Sequence, residues 1–257
     1  MATYKEEAIV LHAHDLGEAD RIVSLITSGR GLRRAVAKGV KRTASRFGAR
    51  LEPFTHLHVV LHEGRNLDTV TQADIITSHA PLRDDFTAFL FGEAMLEVIE
   101  KSMQENQSIP RLFDMLRVSL DALERGPRDP ALLLAAFQLK VCALVGYRPH
   151  LERCLHCQRE ARGEGIRLDL AGGGVFCPAC RGESGSAVPL SPECLELMRR
   201  VMNEVMSRIA GMDAGKRLSR ELLGVSYLYA ENFLERQLRS RPIVLGYLDA
   251  MSRERPA

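Results

Sequence analysis

Two Cys-x-x-Cys pairs, Cys154-Leu-His-Cys157 and Cys177-Pro-Ala-Cys180, stand nineteen residues apart and constrain this chain more than any other feature. Each pair can turn back on itself and present two thiolates to one ion. The intervening length suits a small hairpin that brings the pairs together. Four thiolates complete the tetrahedral sphere of Zn²⁺ and leave no position for water, so the implied ion is structural, and one ion suffices. The segment around the pairs, Leu151 to Val188, is loop-rich, contains Gly172-Gly173-Gly174 and is poor in apolar residues. Metal binding would therefore supply its folding energy. Tandem pairs without a surrounding βαβ pattern argue against a redox dithiol, and an iron–sulfur cluster is the remaining alternative. Gln158 and Arg181 follow the pairs where glycine is common. Cys142 and Cys194 stand alone in helical stretches and read as core residues.

Reading six cysteines as thiols depends on the compartment. The first residues, Met1-Ala-Thr-Tyr-Lys-Glu-Glu, carry charge where a signal peptide needs an apolar run. No segment approaches the ~18 apolar residues of a membrane span. The expectation is a cytosolic protein whose thiols stay reduced.

The formal net charge of +2 hides an asymmetry. Between Arg21 and Arg50 lie nine basic residues, Arg21, Arg30, Arg33, Arg34, Lys38, Lys41, Arg42, Arg46 and Arg50, with no Asp or Glu among them. Between Leu82 and Ile109 six acids face only Arg83 and Lys101. A charge run is ordinarily a solvated surface, but such a surface normally intersperses acids. A basic stretch without them can lie against several phosphates, each contact releasing counterions. Only Tyr4, Phe47 and Phe54 are aromatic in the first eighty residues, so stacking platforms for bases are scarce. No helix suited to entering a groove is visible. Binding should rest on backbone charge, ignore sequence and weaken steeply with salt.

The 257 residues, 46% hydrophobic, suffice for two or three modules. Residues 1–80 read as five short strands joined by turns, including Ala8 to Leu11, Arg21 to Thr27, His56 to Leu61 and Leu67 to Ile76, with Ser28-Gly29-Arg30-Gly31 as a turn. A five-stranded oligonucleotide-binding (OB) type barrel fits best, ahead of an SH3-like one. The basic stretch falls on its second and third strands and the loop after them. From Leu82 the texture is helical, with Glu93, Glu97 and Glu100 sharing a solvated or partner-facing side. Further helices open at Pro110, at Pro130 with Asp129 as cap, and at Pro192 toward Ile209, and one spans Leu218 to Leu238. The helix from Ala131 to Val145 is apolar nearly all round and should be buried. The expected fold is α+β multidomain: barrel 1–80, helical part 81–150, four-cysteine insert 151–188, second helical part 189–257.

Catalytic signatures are missing. Gly211-Met-Asp-Ala-Gly215-Lys216 has the wrong spacing for a phosphate loop and is followed by Arg217. His56, His58 and His62 share a strand face, as do His12 and His14, and read as partly exposed strand residues rather than as a metal site. No enzyme activity is expected.

Several segments carry a resemblance. Asp20-Arg21-Ile22-Val23-Ser24-Leu25-Ile26-Thr27, Gly31-Leu32, Ala37-Lys38-Gly39, Ser45-Arg46-Phe47-Gly48 and Leu51-Glu52-Pro53-Phe54 closely resemble the N-terminal region of the bacterial RecO family of recombination mediators. The order barrel, helices, four-cysteine insert, helices is similar too. The resemblance implies binding of single- and double-stranded DNA, strand annealing, and help in loading the RecA recombinase onto DNA coated by single-strand-binding protein, in the RecFOR pathway of DNA repair. It implies RecR and the C-terminal tail of single-strand-binding protein as partners, and a cytoplasmic, nucleoid-associated location. Two other classes stand beside it. A nucleic-acid enzyme with a zinc-stabilised lobe needs acids near the basic face. A protein-interaction adaptor needs an acidic partner for that face.

Overall fold

Runs of aliphatic residues separated by turns form five strands, β1 (Thr3–Leu16), β2 (Asp20–Thr27), β3 (Gly31–Ala37), β4 (His56–His62) and β5 (Asp68–Thr77). In this computed structural model, residues 2–41, 45, 47–105, 107–180 and 185–253 are described. The strands close a barrel in the order β1-β2-β3-β5-β4. All neighbours are antiparallel except β3 and β5, which meet in parallel with Ala35 opposite Asp68 and Val36 opposite Thr69. This is the expected five-stranded OB-type barrel. β1 runs well beyond Ala8 to Leu11. A bulge between Val10 and His12 bends it, so its first half pairs with β4 and its second with β2.

Alternation along the strands builds two cores. Ala8, Val10, Val23, Leu25, Ala35, Ala37, Leu57 and Leu61 fill the barrel. The outward residues Ile9, Leu11, Ile26 and Leu32 join a second, larger cluster shared with the helices.

The helices are α1 (Ala80–Asp84), α2 (Phe86–Ser102), α3 (Pro110–Glu124) and α4 (Pro130–Leu144), then α5 (Pro192–Asn203), α6 (Met206–Ile209), α7 (Lys216–Leu234) and α8 (Ser240–Arg253). Asp129 caps α4 by accepting from the Leu132 N–H, and Ser191 caps α5 by accepting from that of Cys194. α4 is buried nearly all round and packs chiefly on α7 and α2. Cys142 and Cys194 are buried, as expected of core residues, and burial pushes each thiol up to about 12.

Three features depart from the sequence reading. The helix from Pro192 stops at Asn203, because Glu204 and Val205 are extended, and a separate short turn forms α6. α8, beyond Leu238, was unforeseen because it buries only Ser240 and Val244 and lacks a broad apolar face. The acidic side of α2 is not simply solvated. Glu97 is buried and accepts the backbone N–H groups of Arg239 (2.8 Å) and Ser240 (2.9 Å), fixing the start of α8. Glu100 lies 3.3 Å from His12 Nε2 on β1. Glu93 is half-buried, and burial raises its carboxyl pKa.

Between α4 and α5 lie β6 (His150–Cys154), β7 (Arg167–Asp169), β8 (Gly174–Phe176) and β9 (Ala187–Pro189), in sheet order β6-β8-β7-β9. β7 and β8 form the expected hairpin. At Gly174 the chains pass closely, and a Cβ there would come within 2.7 Å of the Leu155 side chain, which would have to shift. No described helix is long and apolar enough to cross a membrane.

Candidate functional site

β6 delivers Cys154 to a turn through Leu155 and His156 to Cys157, closed by Gln158 N–H donating to the Cys154 carbonyl at 3.0 Å. Gln158 takes a left-handed φ of 60°, the conformation for which glycine is favoured at this point of a cysteine turn. β8 leads into Cys177, and Cys180 N–H donates to the Cys177 carbonyl at 3.0 Å. The four Sγ atoms lie within 4.8 Å of one another, and Cys157 and Cys177 are 3.7 Å apart. A tetrahedron with metal–sulfur distances of ~2.3 Å has edges of ~3.8 Å. Burial raises the Cys154 thiol, but the backbone N–H groups of Cys157, Cys177 and His156 outweigh it and bring it down to about 6. Cys180 is pushed up to about 12, first by hydrogen bonding to Cys157, then by burial and Cys177. A Cys154 thiol that ionises readily beside a Cys180 thiol whose ionisation Cys157 and Cys177 oppose fits a shared cation, which favours all four thiolates together.

Among the described residues, no other group of three or more potential ligands is so arranged. The histidines go elsewhere. His56 is buried, 2.7 Å from Glu7, His58 is exposed, and His12 stacks on His14 at 5.9 Å.

The basic stretch is divided by the barrel. Arg21 pairs across with Ala37 and Arg33 with Leu25, so both belong to inward-facing rows near opposite mouths. Arg21 is held by Glu52 at 2.8 Å and Asp15 at 3.2 Å, and Glu52 most strongly raises its pKa. Lys41 reaches the same Asp15 at 2.8 Å, and Lys41 then Arg21 lower that carboxyl. At the other mouth the Arg30 guanidinium lies 3.9 Å from the Tyr4 ring centroid and 3.6 Å from Glu6, with Arg33 at 5.9 Å from the same ring. The Tyr4 hydroxyl donates to Asp68, and burial with that bond raises its pKa. Arg34 turns outward, 3.8 Å from Glu105. Arg30, Arg34, Lys38, Lys41 and Arg50 are exposed, whereas Arg42 and Arg46 lie outside the described residues. The stretch lacks acids in sequence but not in space, since Asp15, Glu52, Glu6 and Glu105 approach from flanking segments. Asp15 was traceable, because antiparallel pairing across the β1–β2 turn sets it opposite Arg21.

Residues 1–79 match the family model described as Recombination protein O N terminal, and residues 83–242 match Recombination protein O C terminal. The chain is similar to the DNA repair protein RecO of Thermobifida fusca, with 42% identity over 247 residues, 95% of this chain and 99% of that protein. It is similar to the DNA repair protein RecO of Frankia casuarinae, with 41% identity over 246 residues, 94% and 98% of the two chains. The protein of the same name from a Nocardioides species is 44% identical over 198 residues, 76% of this chain and 80% of that protein.

Proposed function

The chain belongs to the RecO family of DNA repair proteins, and from that membership we propose that it is a non-enzymatic recombination mediator of the RecFOR pathway. It binds single- and double-stranded DNA through the barrel, anneals complementary strands and helps load RecA onto DNA coated by single-strand-binding protein. RecR and the C-terminal tail of single-strand-binding protein are its partners, and it works in the cytoplasm at the nucleoid. The division into barrel 1–80, helical parts 81–150 and 189–257 and insert 151–188 serves this role. One structural Zn²⁺ is held by Cys154, Cys157, Cys177 and Cys180.

The observation that carries the reading is the exposed set Arg34, Lys38 and Lys41, on β3 and the loop following it. Their acidic neighbours Glu105 and Asp15 are themselves exposed, and ion pairs of that kind are weak and screened. Phosphates compete for the same cations. Two complementary strands repel through their phosphates, so a surface that neutralises both while leaving the bases unstacked lets pairing occur. Reversal of Arg34, Lys38 and Lys41 to Glu should lower DNA affinity and annealing rate together while leaving the unfolding transition in place. Unchanged annealing by a folded triple variant would remove the barrel from the mechanism. Incubation with labelled DNA and Mg²⁺ should leave the DNA intact, and metal-dependent cleavage would favour a nuclease.

A further inference from the structure

Beside the cysteine insert, the surface between β6 and α5 opens into a groove of about 630 Å³. Arg199 of α5 builds it. Its side chain is largely buried and donates to the carbonyl oxygens of Leu151 (2.7 Å) and Ala161 (2.6 Å), with Glu196 and Glu152 beside it. The charge of Arg199 is thus taken up in fastening the insert to the helix, and Glu152, which also lines the groove, is turned to Arg199.

Arg148 and Arg153 are differently placed. Arg148 Nη2 donates to Asn203 Oδ1 at 3.2 Å, and Arg153 Nη1 donates to the Gln158 carbonyl at 3.1 Å. Both acceptors are neutral, and neither guanidinium forms an ion pair with a carboxylate of the described residues, in contrast to Arg21, Arg30 and Arg34 on the barrel. Both are exposed, as are His150 in the same groove and Arg159 just beyond Gln158. Half-buried Lys140 donates to the Met202 carbonyl at 3.2 Å. Its ammonium is held below the ordinary lysine value by burial and then by Arg148, against the opposing effect of Glu204. The groove therefore holds positive charge that the protein does not itself neutralise, on guanidiniums positioned by neutral bonds.

We propose that this groove is a second nucleic-acid site, in which Arg148 and Arg153 hold backbone phosphates of a single strand apart from the barrel. Guanidiniums fixed through one N–H keep others for phosphate oxygens, which they match in geometry. Cations spread along a half-open groove suit an extended polyanion rather than a single terminal carboxylate. Annealing brings two strands together, and a groove that holds one of them adds to the charge neutralisation at the barrel. The proposal extends the annealing reading without depending on the barrel residues.

The test uses the full chain, a labelled oligothymidylate and fluorescence anisotropy across a salt series. Arg148→Ala with Arg153→Ala should weaken binding on the order of tenfold at low salt and make the slope of log affinity against log salt shallower by about 1.4, the share of two single-strand phosphates. Arg148→Lys with Arg153→Lys should restore most of both. An unchanged affinity and slope in the alanine variant would overturn the site. Loss of oligoglutamate binding by a variant that keeps full DNA binding would overturn it as well, assigning the groove to acidic peptides. The Arg34, Lys38 and Lys41 reversal is run in parallel. If it leaves binding intact while the groove variant weakens it, the barrel reading fails and the groove stands. Should the double alanine variant not fold, Arg153→Ala alone carries the same expectation for one phosphate.

Discussion

Arg33 and Arg34 are neighbours in sequence and lie on opposite sides of β3. Arg33 is in the row of Ala35 and Ala37, near the Tyr4 ring, whereas Arg34 faces outward. Arg34→Ala should therefore weaken DNA binding with no change in stability. Arg33→Ala should cost about 1 kcal/mol of stability through lost packing and its cation–π contact, read by urea unfolding. The period of two was legible in the sequence. Which row faces inward depends on barrel closure, and the partners Glu52 and Glu105 come from distant segments that no local pattern connects. His12 makes a second case. Its hydrogen bond to Glu100 raises its pKa, and the same bond lowers that of Glu100. The pair links β1 to α2, and its contribution is full between the ordinary carboxylate value of 4.5 and the ordinary imidazole value of 6.5. It is lost as pH rises through the raised His12 value, and as pH falls through the lowered Glu100 value. His12→Gln should thus destabilise most in that window and progressively less toward alkaline pH. A cost independent of pH would show that the pair is not ionic.

At the scale of elements, caps and cysteine turns were readable because they are local. Asp129, Ser191 and the two Cys-x-x-Cys pairs each act within a few residues. α8 was not readable, because what holds its start is Glu97, more than 140 residues earlier in the chain. Glu97→Ala should cost about 2 kcal/mol, since it removes a charged acceptor from two backbone N–H groups. Hydrogen exchange should show the loss concentrated in α8. The insert gives the complementary prediction. Cys157→Ser, or a strong chelator, should release one zinc equivalent per chain and unprotect the amides of β6 to β9, while the barrel amides stay protected. Loss of protection throughout the barrel would mean that the ion supports more than its own segment. Because Leu155 and Gln158 form one wall of the groove beside α5, metal removal should also weaken the groove's share of strand binding.

At the scale of the whole molecule, one barrel serves two masters through alternation. Its inward rows make its own core, and the outward strip of Ile9, Leu11, Ile26 and Leu32 fastens it to the helices. On the proposed reading the β2–β3 surface and the residues just after it bind nucleic acid, and the groove between the cysteine insert and α5 adds a second cationic surface. On that reading backbone charge, rather than base stacking, is the source of affinity, since the barrel's only aromatics are Tyr4, Phe47 and Phe54, all of them buried. The most direct test of that claim is a salt titration of binding to matched single- and double-stranded oligonucleotides. Log affinity should fall linearly with log salt for both, independent of sequence, and less steeply once Arg34, Lys38 and Lys41 are replaced by alanine. A flat response to salt, or a slope unmoved by those substitutions, would contradict it.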